Sequence, residues 1–318
     1  MRLRASCAGL FLVVSVATGT AVSGCSARPA QSPTADATDA PDDAGAAPSG
    51  PGIGGTLFYL EPGRSGGATV LHAVSGGRSR TLARLPELAY QTANVSPDGH
   101  RVAWVDGGPN NVGTLYLANV DGSGKRSLGV ADDAGTCVEP VWSPDSHRLL
   151  FSRGGKLGRL DPDGGAFDPT RLAGCHLLWS ARKLSYGDGS GRVWLVNPDG
   201  TEAHAVPKLG GTPLGPRSSD FESLSPDGTR LVLDLHTGDA LDGDAARALT
   251  ANTIIDTGTG DKVATPPFQQ ALFLPNGNTL LRNAGRLTVL SPDGQTVLSV
   301  TEPPAARTWT LLSYTPTG

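Results

Sequence analysis

One short spelling recurs along this chain, and it restricts the fold more than any other feature. Asn94-Val95-Ser96-Pro97-Asp98-Gly99 leads into Arg101-Val102-Ala103-Trp104. Val141-Trp142-Ser143-Pro144-Asp145-Ser146 leads into Arg148-Leu149-Leu150-Phe151. Leu178-Trp179-Ser180-Ala181-Arg182 precedes Lys183-Leu184-Ser185-Tyr186, and Ser223-Leu224-Ser225-Pro226-Asp227-Gly228 precedes Arg230-Leu231-Val232-Leu233. Leu272-Phe273-Leu274-Pro275-Asn276-Gly277, followed by Thr279-Leu280-Leu281, is the fifth copy. Each reads as strand, tight turn, strand. Pro pre-sets φ near −65°, Asp or Asn bonds back to the local backbone, and Gly accepts positive φ without steric cost. The flanking apolar residues alternate, as on half-buried strands.

A second set of turns lies between these copies. It comprises Leu115 to Gly122, Arg159 to Gly164, Trp194 to Gly200, Ile254 to Gly260 and Val289 to Gly294. Each joins the two outer strands of a unit. The two sets interleave with a period of about 40–50 residues, a spacing that signals a repeat architecture. Four short strands per period, without helical periodicity, predict propeller blades. Only Asp244 to Leu249 reads as a short helix. Gly55 to Leu60 and Thr69 to Val74 have no inner strand before them, and Arg307 to Tyr314 is a lone apolar strand at the end. If that last strand completes the first blade, the ring closes and leaves no open edge. The expected fold is therefore all-β, a six-bladed β-propeller of four-stranded antiparallel blades closed by the C-terminal strand; seven blades is the alternative.

The Ser-Pro-Asp-Gly copies, each preceded by an apolar residue or Trp and followed by an apolar strand, resemble the TolB-type propeller repeat, a relative of the WD repeat. The resemblance covers nearly all of residues 53–318. It implies a six-bladed extracytoplasmic propeller that binds other envelope proteins.

The first 52 residues read differently. Arg2 and Arg4 precede an apolar run from Ala8 to Ala17, the pattern of a signal peptide. The run is shorter than the roughly 20 residues of a membrane-spanning helix. Val22-Ser23-Gly24-Cys25 resembles a lipobox, which implies acylation of Cys25 after removal of residues 1–24. Residues 25–52 contain no aromatic side chain and are dominated by Ala, Pro, Asp, Ser, Gly and Thr. That composition suits a disordered tether, leaving residues 53–318 as the propeller. The expected location is extracytoplasmic, lipid-anchored to the cell membrane. Arg outnumbers Lys by 21 to 5, a bias that fits a GC-rich, actinobacterial source. A formal net charge of −4 without a basic patch disfavours nucleic-acid binding.

Two cysteines remain in the folded part. Cys137 precedes Trp142 by five residues and Cys175 precedes Trp179 by four. They occupy near-equivalent places at the starts of neighbouring inner strands, and a disulfide between them would staple blades three and four. Such a bridge contributes about 4 kcal/mol in the chain-entropy picture.

Chemistry is sparse. Gly63-Arg64-Ser65-Gly66-Gly67 matches Gly-x-Ser-x-Gly but lies between two short strands, whereas a nucleophile elbow needs a strand-to-helix turn. Asp239, Asp242 and Asp244 form an acidic loop without the spacing of a calcium-binding helix-loop-helix. The six histidines lack metal-ligand spacing. Trp104, Trp142, Trp179, Trp194 and Trp309 fall on expected strands and read as packing between blades. The residues at the starts of inner strands and their loops, Glu139, His176, Asp220 and Glu222, are the candidate binding rim. The expectation is a non-enzymatic envelope scaffold, monomeric, with a protein partner and no cofactor, metal or nucleic acid. A small-molecule or glycan sensor is the alternative, and a propeller lyase or hydrolase a third.

Overall fold

The computed structural model describes residues 53–64, 66–107, 110, 112–132, 139–210, 220–236 and 250–317. They form six antiparallel sheets. Blade one holds β1 (Thr56–Glu61), β2 (Thr69–Ser75) and β3 (Arg78–Leu85). A single helical turn, α1 (Ala89–Thr92), leads to blade two: β4 (Asn94–Val95), β5 (Arg101–Asp106), β6 (Val112–Asn119) and β7 (Arg126–Asp132). Blade three comprises β8 (Val141–Trp142), β9 (Leu149–Arg153), β10 (Lys156–Leu160) and β11 (Asp168–Pro169). Blade four comprises β12 (Cys175–Trp179), β13 (Leu184–Gly187), β14 (Val193–Val196) and β15 (His204–Ala205). Blade five has β16 (Phe221–Leu224), β17 (Arg230–Leu233) and β18 (Thr253–Asp256). Blade six has β19 (Gln270–Phe273), β20 (Thr279–Asn283), β21 (Arg286–Leu290) and β22 (Thr296–Thr301). The last strand, β23 (Thr310–Thr315), pairs antiparallel with β1 and becomes the innermost strand of blade one.

The ring is thus six-bladed and closed by its C-terminal strand, as the repeats predict; the seven-bladed alternative is excluded. One blade departs from the four-stranded pattern. Among the described residues of blade five, the fourth strand is reduced to a bridge between Ile255 and Lys262 and a Val263 N–H bond to the Ile254 carbonyl. Pro266 and Pro267 follow, and neither can donate to a ladder.

The recurring turn is built the same way wherever its spelling is complete. Gly99 N–H bonds to the Ser96 carbonyl at 2.8 Å, and Gly99 takes φ +73°. The Ser96 hydroxyl donates to the Asp98 carboxylate while accepting the Arg101 N–H at 2.9 Å. In blade three Ser146 replaces the glycine at φ +63°, and its hydroxyl accepts the Asp98 N–H of the neighbouring blade at 3.0 Å. A strained backbone position therefore carries an inter-blade bond that glycine could not make. The Ser143 hydroxyl and the His147 N–H hold the Asp145 carboxyl below the usual range. At Asp98 and Asp227 burial raises the carboxyl, but the hydrogen bonds from Ser96 and His100, and from Ser225 and Thr229, outweigh it.

Six buried clusters fill the six interfaces between blades. Trp104 packs with Phe58 and Leu60 between blades one and two, and Trp142 with Leu117 and Phe151 between two and three. Leu177 meets Leu150 between three and four, and Phe221 meets Leu195 between four and five. Ala271 lies against Val232 and Ile254 between five and six. The closing interface, between six and one, holds Tyr59, Leu280, Trp309 and Leu311. Two tryptophans depart from the expected pattern. Trp309 lies on no strand; it ends a 3-10 helix (Pro304–Thr308) just before β23 and stacks on His72 with ring centroids 3.7 Å apart. Trp194 stacks on Tyr186 within its own sheet.

A polar network fixes the closure. Arg282 on β20 donates from Nε to both carboxylate oxygens of Glu302, at 2.9 and 3.0 Å. Its other nitrogens reach Gln270 and the carbonyls of Trp309 and Ala306. Gln270 in turn accepts the Leu311 N–H of β23, and the Tyr59 hydroxyl of β1 donates to Glu302. The Arg282 side chain is 9% exposed and that of Glu302 0%. Burial, reinforced by Glu302, pushes the Tyr59 phenol far above its ordinary value, so it remains a donor. Buried polar groups are tolerated when every member is satisfied, and here that requirement ties blade six, the 3-10 helix and β23 together.

Candidate functional site: an apolar-walled central channel

The six innermost strands, β4, β8, β12, β16, β19 and β23, surround a cavity of about 350 Å³ on the axis of the ring. One residue from each blade forms a collar: Val95, Trp142, Trp179, Leu224, Phe273 and Tyr314. In four copies this residue immediately precedes the turn serine. The turn residues Pro97, Pro144, Ala181, Pro226 and Pro275 also line the wall. The recurring spelling therefore does more than close hairpins; it builds one mouth of the channel. Proline is suited to such a wall because it brings apolar surface and no N–H.

The collar tryptophans are fixed from behind. Trp142 Nε1 donates to the Asn94 carbonyl at 3.0 Å, and the Arg101 guanidinium lies 5.0 Å from its ring centre. Arg101 is itself held by both Asp163 oxygens at 3.0 Å. Arg159 lies 5.9 Å from the Trp179 ring centre and donates to the Pro198 carbonyl. The Tyr314 hydroxyl donates to the Gly54 carbonyl at 2.8 Å, and burial raises that phenol. Anchors of this kind hold the aromatic planes in place before any ligand arrives.

Of the candidate rim residues, Glu139 and Glu222 lie on the channel wall. Glu222 Oε2 accepts the Ala271 N–H at 2.9 Å, bridging blades five and six. His176 and Asp220 form a separate pair, with Nδ1 and Oδ1 3.7 Å apart. His176 is buried, adopts φ +52° and packs edge-on against Phe221. Each of these four residues makes interactions beyond these. The rim thus divides into two wall carboxylates and a His–Asp pair between blades four and five.

Other candidates are placed as follows. Cys175 opens β12, half-buried, while Cys25 and Cys137 lie outside the described residues. So do residues 1–52, Ser65 and the segment holding Asp239, Asp242, Asp244 and the stretch to Leu249 where a short helix is expected. The remainder of the Gly-x-Ser-x-Gly match is a turn between β1 and β2, with Gly67 N–H bonded to the Arg64 carbonyl. Among the described residues no group of three or more His, Cys, Asp or Glu could hold a metal ion, and no helix is long and apolar enough to cross a membrane.

No family model matches the chain, and no curated protein does. Solved structures do. The chain is similar to TolB from Acinetobacter baumannii at 16% identity and a TM-score of 0.52, covering 83% of this chain and 67% of that one. It also matches the Cps50 (Swd1) β-propeller domain of Myceliophteria thermophila, at 15% identity, 70% of each chain and a TM-score of 0.40. A match to a prolyl endopeptidase covers 79% of this chain and 42% of that one, at 16% identity and a TM-score of 0.41. At such identities the TolB match shows the propeller fold, and activity has to be argued from the site itself.

Proposed function

We propose that the chain is a non-enzymatic, lipid-anchored cell-envelope protein whose propeller holds a protein partner at the outer face of the membrane. The observation that carries this reading is the collar: six inward residues, mostly aromatic or large aliphatic, at the mouth of a channel walled by prolines. Buried aromatic anchors inside a pocket are the usual centres of protein recognition. The lipobox-like Val22 to Cys25 and the signal-like start support delivery across the membrane and attachment by lipid. A diacyl anchor fits stable attachment, which needs two acyl chains.

Cys175 pairs with Cys137 in this reading. In this reading the Cys175 sulfur is held in the bridge rather than left as a free thiol, and the other two cysteines of the chain, Cys7 and Cys25, belong to the leader and the anchor. Oxidising extracytoplasmic conditions would preserve the bridge.

The central cavity, of small-ligand size, also favours the second reading, a small-molecule sensor. Capture separates the two. Tagged mature chain, cross-linked in membranes of its host, recovers a reproducible partner, and Trp179→Ala loses it while the thermal midpoint stays near wild type. Recovery of the same proteins by both forms, or of none, contradicts the scaffold reading.

A further inference from the structure

We propose that the outer edge of blade one is a contact surface for an anionic phospholipid bilayer, held through the guanidinium groups of Arg78, Arg80 and Arg84. The inference rests on the lipid-anchored reading for the presence of a bilayer and adds a second point of attachment to it. In the first sheet the strand order is β23-β1-β2-β3, so β3 is the outermost strand of its blade. Its eight residues, Arg78–Leu85, carry three arginines, all exposed, and none has an ion-pair partner among the described residues. Between Glu61 and Glu87 the chain holds those three and Arg64 and no acidic residue, although the formal net charge is −4. Glu61 is itself taken up by His72 at 2.9 Å. Blade one is thus positive within a protein that is negative. The sequence shows no basic run; the row appears only once β3 forms an edge.

The shape of the row and its place in the fold decide what it meets. The register sets Arg78 opposite Ser75 and Arg80 opposite Ala73, whereas the bulge between Leu71 and His72 sets Arg84 opposite Val70. Ala73 packs towards blade two, so the first two arginines lean to that side and Arg84 to the side of blade six. From Arg78 to Arg84 the strand advances about 20 Å, a span that fits an extended surface of phosphates better than one small anion. Guanidinium groups match phosphate oxygens bidentately and stay charged at every pH the protein would meet. Edge protection, the ordinary use of charge on an outer strand, does not account for the row: β22, the outermost strand of blade six, has six residues and no charge. The chain also enters the ring at this blade, through β1, with the Ser75 hydroxyl donating to the Gly55 carbonyl at 3.1 Å. An acyl chain at Cys25 would therefore be joined to the ring at blade one. Leu88, 37% exposed, stands just past the row and offers an apolar side chain, the companion of basic residues in interfacial binding.

The test is co-sedimentation of the mature chain carrying Cys25→Ser, which removes the acyl chains, with vesicles of phosphatidylcholine alone or mixed in equal parts with phosphatidylglycerol. Binding is expected to the mixed vesicles only and should fade as salt rises, because salt screens exposed charges. No binding to the mixed vesicles, or equal binding to both kinds, overturns the proposal; this series changes nothing in the propeller itself. Each arginine near an anionic surface contributes about fivefold in affinity, so Arg78→Gln, Arg80→Gln and Arg84→Gln together should weaken binding about a hundredfold. Lys156→Gln, Arg171→Gln and Arg182→Gln remove the same charge from three exposed positions on and between blades three and four. They should weaken binding by less than about threefold, since distant charges are screened. Equal losses in the two triple variants would place the effect in net charge and overturn the assignment to β3. Preference for soluble polyglutamate over the mixed vesicles would identify an acidic protein as the occupant and also overturn it. The mass of the unmodified chain from its host's membranes separates this surface from the anchor. Acyl chains present without vesicle binding by the Cys25→Ser chain would remove the surface and keep the anchor; the reverse would remove the anchor and keep the surface.

Discussion

Glu302→Gln should be the most damaging conservative change in the propeller. The substitution keeps the shape and removes the charge that faces the Arg282 guanidinium, whose side chain is 9% exposed and bonded through Nε to both Glu302 oxygens. Breaking a buried ion pair at one partner costs about 3–5 kcal/mol, because the other charge stays buried. Arg282 keeps Gln270 and the Trp309 and Ala306 carbonyls, which places the expected loss near the lower end. For a domain of this size each kcal/mol moves Tm by about 2–4 °C, so a fall of roughly 10 °C is expected. The control is Asp163→Asn, which breaks the Arg101 ion pair at a side chain 65% exposed; exposed pairs contribute about 0–1 kcal/mol. Scanning calorimetry gives both shifts. Amide hydrogen exchange then locates the damage, since β23 should lose protection first in Glu302→Gln. Equal Tm shifts in the two variants, or loss of protection spread evenly over all blades, would refute the role of the pair in closing the ring.

Other outcomes follow from the turns and the glycines. Asp145→Ala should cost about 1 kcal/mol at neutral pH through the lost hydrogen bonds. Because the folded carboxyl is depressed, its contribution is present above the unfolded value of about 3.9 and is lost as pH falls through the lower folded value. Urea titrations of wild type and variant should therefore converge near pH 2, and a gap that persists there contradicts the assignment. Gly260→Ala should destabilise by more than about 2 kcal/mol, since Gly260 has φ +72° and a Cβ there would lie 1.9 Å from the Pro207 carbonyl oxygen of the next blade. Gly154→Ala, at φ +61° with nothing within 4 Å, should cost only the conformational strain of about 1 kcal/mol, and equal thermal shifts would deny the close approach. Alkylation of the mature chain without reductant should leave Cys175 unlabelled in a peptide map, and a labelled Cys175 contradicts the proposed bridge.

What could be read from the sequence was local. Ser96, Pro97, Asp98 and Gly99 specify a turn through contacts spanning five residues, so the spelling alone carries the hairpins and hence the blades. The lone terminal strand, set against a first blade lacking its inner strand, carries the closure. The network that secures it was not legible. Tyr59 and Glu302 are 243 positions apart, and a Glu after an exposed edge strand looks like a solvated residue until the ring brings it inside. Trp309 reads as a strand residue because its apolar neighbours run on to Tyr314; Pro303 and Pro304 instead wind the chain into a helical turn before it. The collar was visible as a column of Val95, Trp142, Trp179, Leu224 and Phe273 across the copies, but alternation cannot tell a blade interface from a channel wall. A further sign stood at the end of the chain, where Tyr314-Thr315-Pro316-Thr317-Gly318 repeats the outline of the turn and gives the sixth collar residue. Glu139 stands just before an inner strand and Glu222 lies on one, and both line the cavity, whereas the pairing of His176 with Asp220 depends on the +52° backbone turn at His176 and the bulge in β12.

The central claim is that binding happens at the collar. A photo-cross-linking amino acid placed at residue 179 of the collar, and in parallel at residue 297 on the 61% exposed Val297 site of the outer strand β22, tests it most directly in intact membranes. The account predicts a discrete adduct from position 179 and none from position 297. An adduct from position 297 alone, or the same adducts from both, would contradict it.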